Sequence, residues 1–434
     1  MSTENGPVVI DLGFERGEPE SYSSPRRSTT PVWFPAAMLA ALVLLCSSAS
    51  AAPARSPLSP VFSLPVGPAD AYALTDSGQL LAQTFGTLAS YELRTGRLRW
   101  QAGQSTPAYR LRLGDGVVLM RPWMVGAADP GTTAISIATG VSLWERPGRV
   151  VTLAGSSALL AVSSVPGAGG VGRRVQGSVD AVDPATGGTR WTVQVPSTAV
   201  LLGLPGSAEE DARMILVHDD RTLAVHDLDT GRLLASTMIP AADYNPDNPV
   251  VVAGGQILLR HPGARDTEIS AYDSVTLRQR WTEPAGDAYE IVPCGALACV
   301  AGSDGVRAID PATGDRRWTR PHWRDVEQYG TMIVAYRGAE QTDLVGIIDP
   351  RTGAVRVALD GWRPVTGSGG GGHLLVTRAV EAGARTMVAV ARPDEPQPRL
   401  LADLPAGTGD CQAVPARLVC RSMYGELVVW AYRL

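Results

Sequence analysis

The side chains best suited to chemistry are few and scattered. Five histidines (His218, His226, His261, His322 and His373) form neither an HExxH motif nor a close pair, so no zinc-type spacing exists. His218 and His226 are near enough in sequence to meet across a hairpin, but they read more simply as ordinary strand histidines. All 38 basic residues are arginine. No lysine is therefore available for a Schiff base or a phosphate-binding loop. The Gly369–Gly372 run precedes His373 and a strand, not a lysine and a helix, and no GxSxG elbow occurs. Asp227 and Asp229 have the spacing of a calcium-loop start but lack its downstream glutamate. Arg173 and Arg174, in the longest loop, have the chemistry to meet an anion, with solvated loop charge as the plainer reading. These residues assign no catalytic group, no metal ligand and no cofactor.

The cysteines carry more information. Cys294 and Cys299 flank one expected hairpin, and Cys411 and Cys420 flank another. Each pair can meet across its hairpin, which predicts two local disulfides and an oxidising exterior. The competing reading is four reduced core thiols. Cys46 lies in an apolar segment, and Leu45 before it does not suit a lipoprotein cleavage site. A net charge of −5 leaves no basic footprint for nucleic acid.

What must position any site is a repeat. An alternating apolar strand, an acidic residue, Thr-Gly and a second strand opening near Trp recur at 88–100, 135–144, 179–191, 223–235, 269–281, 306–318 and 345–357. The glycines are Gly96, Gly140, Gly187, Gly231, Gly314 and Gly353, with Leu277 in the equivalent place of the fifth copy. Four residues earlier stand Asp183, Asp227, Asp273, Asp310 and Asp349, with Glu92 and Ser136 in the first two copies. A short acceptor there bonds the turn's own N–H groups, and glycine supplies the positive φ that closes the hairpin. Trp100, Trp144, Trp191, Trp281 and Trp318 open the following strand and are expected to pack blade on blade. Two further apolar stretches between copies make each unit four antiparallel strands, A to D, in roughly 42 residues, the size of a propeller blade.

The DPxTGxxxW repeat, as in 310–318, resembles that of the quinoprotein-type (PQQ-like) propellers, which include the BamB-type outer-membrane assembly scaffolds. The resemblance covers residues 61–434. It implies an all-β fold and leaves activity open, because enzymes and scaffolds share the repeat. The enzymes of that family usually carry a vicinal disulfide and a calcium cage at the quinone, and neither is visible here.

The C-terminus supplies strands A, B and C, so the lone strand Val61–Val66 is expected to complete that blade and close the ring. Counting C-type strands gives nine if a degenerate copy near Met387–Ala391 is included; eight blades are favoured and nine are possible. The expected divisions are a disordered cytoplasmic tail (1–30), a transmembrane anchor (31–54), a linker (55–60) and the propeller (61–434). The anchor rests on the uncharged run Val32–Ala52, with Arg26 and Arg27 before it placing the tail inside and the propeller outside. Cleavage at Ala49-Ser50-Ala51 is the alternative. Long connections at 122–133, 163–178, 260–268, 337–343 and 379–386, and at Pro240–Pro249, fall on one face, which is expected to hold the binding function. The reading that follows is a non-enzymatic, membrane-anchored extracytoplasmic module for a protein or envelope component. The alternatives are a PQQ-dependent oxidoreductase or quinone sensor, and a polysaccharide binder using loop aromatics such as Trp123 and Tyr244.

Overall fold

The computed structural model describes residues 31, 33–49, 56–103, 108–122, 131–153, 156–164, 173–204, 212–242, 249–338, 343–380 and 385–434. The chain divides into two units, Met1–Arg55 and Ser56–Leu434. In the first, one helix spans Phe34–Ala49, 16 residues with no acidic first turn and no basic last turn. At 1.5 Å per residue it measures about 24 Å, against about 30 Å of hydrocarbon in a bilayer. No helix among the described residues is long and apolar enough to cross a membrane. The expected tail, 1–30, and the end of the apolar run, 50–52, lie outside the described residues.

The second unit is all-β. Its described strands form eight antiparallel sheets, seven of four strands and one of seven, which give blade 1 (72–103), blade 2 (108–146), blades 3 and 4 (149–238), blade 5 (250–284), blade 6 (288–320), blade 7 (325–358), blade 8 (363–404) and blade 9 (409–432 with 58–65). The seven-stranded sheet holds two repeat units joined by a single strand, Thr189–Leu204, which is strand D of blade 3 and then strand A of blade 4. Strand C of blade 3, Arg173–Val182, pairs with both halves of it: Val179 lies opposite Val193 and Arg174 opposite Val200. Eight is thus the number of sheets and nine the number of blades. The degenerate copy near Met387–Ala391 is a full four-stranded unit.

The apolar core gives the same number independently. Nine buried clusters each join two consecutive blades around the ring. Leu81 and Leu88 of blade 1 meet Val118 and Ile135 of blade 2, and Val419 and Leu427 of blade 9 meet Leu80 and Ala82 of blade 1. Each fully buried Leu, Ile or Val contributes about 1.5–3 kcal/mol. The strand Leu58–Pro65 pairs with Glu426–Tyr432, Phe62 opposite Val429, and supplies strand D of blade 9. The ring closes as the sequence implies, with the closing strand beginning three residues earlier than Val61.

The repeat motif works across blades as well as within them. Inside each C–D turn the acidic residue gathers the turn: Asp183 accepts from the N–H of Ala185 at 3.0 Å and of Thr186 at 2.9 Å, and the Gly187 N–H donates to its carbonyl at 2.8 Å. Asp227 and Asp273 do the same. Arg280 and Arg356 add ion pairs to Asp273 and Asp349 at 2.6 and 2.5 Å, and Arg317 pairs with Asp310. These bonds hold the carboxyls below the usual range, the Thr186 N–H chiefly for Asp183 and the Arg280 guanidinium chiefly for Asp273.

Between blades, each Trp lies on the turn glycine of the next blade. Trp100 lies on Gly140, Trp144 on Gly187, Trp191 on Gly231, Trp281 on Gly314 and Trp318 on Gly353. The indole N–H of Trp100, Trp144, Trp281 and Trp318 donates to a carbonyl of that turn at 2.8–2.9 Å. Phe62 of the closing strand covers Gly96 in the same way. Where the tryptophan is missing, so is the glycine. Ala235 stands at the tryptophan place of blade 4, and the facing turn of blade 5 has Leu277, buried at φ +55°.

Candidate functional site

Because the strands alternate in direction, all B–C connections and D–A crossings leave one end of the ring, and the A–B and C–D turns leave the other. Several expected long connections are shorter than the sequence suggests. Arg173 and Arg174 begin a strand and do not sit in a loop. The connection at 260–268 shrinks to a turn, with Gly263 donating to Asp266 at 2.8 Å between strands ending at Pro262 and starting at Thr267. The remaining long pieces, with Trp123 and Tyr244, lie outside the described residues. Long connections also occur at the opposite end, at 365–373. Loop length alone therefore does not single out a site.

The two most exposed large apolar side chains of the described propeller, Phe85 and Tyr424, both lie at the B–C end. On the B–C turn of blade 1, Thr84 and Thr87 bracket Phe85 and Gly86, and Phe85 is 88% exposed. On the B–C turn of the neighbouring blade 9, Met423 and Tyr424 are 63% and 75% exposed. Phe85 has φ +48° and Gly86 φ +76°, the left-handed pair that a two-residue hairpin turn requires. Asn, Asp or Gly usually fills the first place; a large aromatic there costs roughly 1–2 kcal/mol of backbone strain with no burial in return.

The ground beneath these tips is rigid. Arg421, in strand B of blade 9, donates to the carbonyls of Gly67 and Asp70, both at 2.6 Å, and to the Asp410 carboxylate at 3.3 Å. Its guanidinium lies 5.5 Å from the Tyr72 ring centre. The Tyr72 hydroxyl donates to the Asp410 carbonyl, and burial, then the Asp410 charge, pushes that phenol far above its ordinary range. The Val66 N–H donates to Gly425 at 2.8 Å. The crossing loop 66–71, which joins the closing strand of blade 9 to strand A of blade 1, is thus pinned to blade 9, which suits a preorganised contact surface.

A second polar group sits where the inner strands of blades 6 and 7 begin. The Tyr289 hydroxyl donates to the Arg324 carbonyl. Burial, then Glu290, pushes the adjacent Asp325 up to about 6. The Tyr336 hydroxyl donates to Glu327 at 3.2 Å.

The residues singled out from the sequence fall into structural roles. Cys294–Cys299 and Cys411–Cys420 are disulfide-bonded, each across the A–B hairpin of its blade. His218 lies opposite Ala199 and His226 opposite Met214, so the register separates them along their hairpin. The His226 ring bonds its own C–D turn at Gly231, and His261 bonds Ser270 at 2.8 Å. Among the described residues no three His, Cys, Asp or Glu side chains converge as metal donors. Phe85, Met423, Tyr424 and Arg421 escaped the sequence reading, although Phe-Gly and Tyr-Gly between two strands, with an apolar residue in place of Asn or Asp, is the signal that marks them.

Residues 175–332 match the family model described as outer membrane protein assembly factor BamB. No curated protein matches the chain. Among solved structures, BamB from Moraxella catarrhalis is similar at 15% identity, over 87% of this chain and 98% of that one, with a TM-score of 0.40. The computationally designed Ika8 protein is similar at 15% identity over 86% and 99%, with a TM-score of 0.42. The quinohemoprotein alcohol dehydrogenase ADHIIG from Pseudomonas putida HK5 is similar at 11% identity over 87% and 76%, with a TM-score of 0.37. Residues 175–332, about a third of the chain, are thus similar to the repeat of the PQQ-like propeller family, and the four-stranded blades and Asp-x-x-x-Gly turns agree with that likeness.

Proposed function

We propose that the chain is a binding scaffold, without catalysis, that holds a protein or envelope component on the B–C end of its propeller. The observation that carries this reading is the pair of exposed apolar tips, Phe85 on blade 1 and Met423–Tyr424 on the neighbouring blade 9, at the same end of the ring as a crossing loop that Arg421 immobilises. Exposed Tyr, Phe and Met on rigid ground are the usual anchors of protein interfaces. The match to a family described as an outer membrane assembly factor supports the same class of role. The uncharged run Val32–Ala52 with Arg26 and Arg27 before it, together with two disulfides, supports an anchored propeller outside the cytoplasmic membrane with residues 1–30 inside.

In-cell photocross-linking tests the proposal. A photoreactive side chain at Phe85 or Tyr424 is expected to give a discrete adduct, whereas one at Val141, exposed at the opposite end, gives none. Adducts from Val141 alone, or none from any position in folded protein, defeat it.

A further inference from the structure

Every propeller blade ends in an outer strand whose far edge has no partner, and such edges recruit other strands unless charges or prolines guard them. This chain guards them consistently, with one exception. The D strands of blades 1, 2, 3, 5, 6, 7 and 8 each carry at least one arginine, Arg99, Arg280, Arg317 and Arg356 among them. The closing strand carries Pro60 and Pro65. Strand D of blade 4, Leu233–Met238, reads LLASTM and has neither a charge nor a proline. Among the described residues it is the last strand of its sheet, paired with Thr222–Asp227 alone. Three of its apolar side chains face solvent: Leu233 at 51%, Leu234 at 37% and Met238 at 66%. The same strand has Ala235 where other blades have tryptophan, and the next turn has Leu277 where they have glycine. Blade 4 therefore departs from the repeat at its outer edge in two ways, both of which remove bulk or charge from it.

We propose that this edge is a strand-addition site: an extended, uncharged segment of a partner protein pairs with Leu233–Met238 as a fifth strand of blade 4. Main-chain hydrogen bonds supply the attachment, and alternate apolar side chains of the incoming strand pack on Leu234 and Met238. A second copy of the chain fits less well. Two six-residue edges pair over about 20 Å and bury less than the roughly 1,000 Å² of a stable interface. An incoming strand belonging to a partner that also makes other contacts has no such limit. The site lies on the rim of the ring and does not depend on the apolar tips at the B–C end.

The test uses the full chain and a short, capped, dye-labelled peptide of alternating valine and threonine, read by fluorescence anisotropy. Saturable binding is expected, weakened about tenfold or more by Leu234→Lys and by Ser236→Pro. Leu234→Lys changes an exposed side chain, so it keeps the comparison valid where the proline variant fails to fold. Hydrogen exchange should show slowed amides within 233–238 on peptide addition and unchanged amides in strand D of blade 6, Arg316–Arg320. No saturation, or equal affinity in Leu234→Lys, overturns the proposal. So does a wild-type dimer that Leu234→Lys dissolves while the peptide fails to bind.

Discussion

The contact between each tryptophan and the next blade's glycine predicts a sharp asymmetry among chemically similar substitutions. Gly353 has φ +64°, and an added Cβ would lie 2.7 Å from Cδ2 of Trp318. Trp318 is 7% exposed and donates to the Pro350 carbonyl at 2.8 Å, so it has no free direction in which to move. Gly353→Ala therefore incurs about 1–2 kcal/mol for a left-handed non-glycine residue and about 1–3 kcal/mol for overpacking, about 2–5 kcal/mol together. Gly116 has φ +66° with nothing within 4 Å of its Cβ direction, so Gly116→Ala incurs the backbone cost alone, about 1–2 kcal/mol. At position 277 the sign opposes the repeat. Leu277→Gly restores the motif's own residue but empties a site where the side chain is 4% exposed. The lost burial of about 2–5 kcal/mol outweighs about 1 kcal/mol of relieved backbone strain. Urea unfolding of the full chain, followed by tryptophan fluorescence and near-ultraviolet circular dichroism, measures all three. Equal costs for Gly353→Ala and Gly116→Ala, or a stabilising Leu277→Gly, would refute the packing argument.

Three further outcomes are expected. Replacing Cys411 and Cys420 by serine opens a nine-residue separation in the blade that closes the ring, and should cost about 2–3 kcal/mol, read as a urea midpoint below that of oxidised wild type, with Cys294–Cys299 intact in both. Asp325→Asn removes a carboxyl whose folded pKa is raised to about 6, chiefly by burial and then by Glu290. Because a raised carboxyl loses stability as pH climbs from the unfolded value towards the folded one, the variant should gain on wild type between about pH 4 and 6 and match it below; a pH-independent difference contradicts this. Arg421→Ala removes charged bonds to Gly67 and Asp70, which should cost about 2 kcal/mol and speed amide exchange across 66–71 while leaving blade 5 unchanged.

The parts legible in the sequence are those set by local chemistry. Asp183 with Gly187 specifies a turn within five residues, and Cys294 with Cys299 meets across one hairpin, so short spacing sufficed for both. The tryptophans were legible as packing residues, but their partners were not, because Trp100 reaches a turn 37 residues away, in the next blade. Blade number depended on a copy with neither motif glycine nor tryptophan, which only the pairing of Leu374–Val380 with Arg385–Ala391 identifies as a blade. The fusion of blades 3 and 4 was hidden because Pro196 interrupts an otherwise plausible strand and reads as a boundary. The candidate site was hidden for a different reason: Phe85 and Tyr424 look like core aromatics until the register places them on turns.

The proposed scaffold binds its partner without quinone chemistry. Titrating the full chain with pyrroloquinoline quinone and calcium, while following tryptophan fluorescence, tests it most directly. A flat titration is expected in folded protein with both disulfides intact. Saturable quenching at micromolar quinone would contradict it.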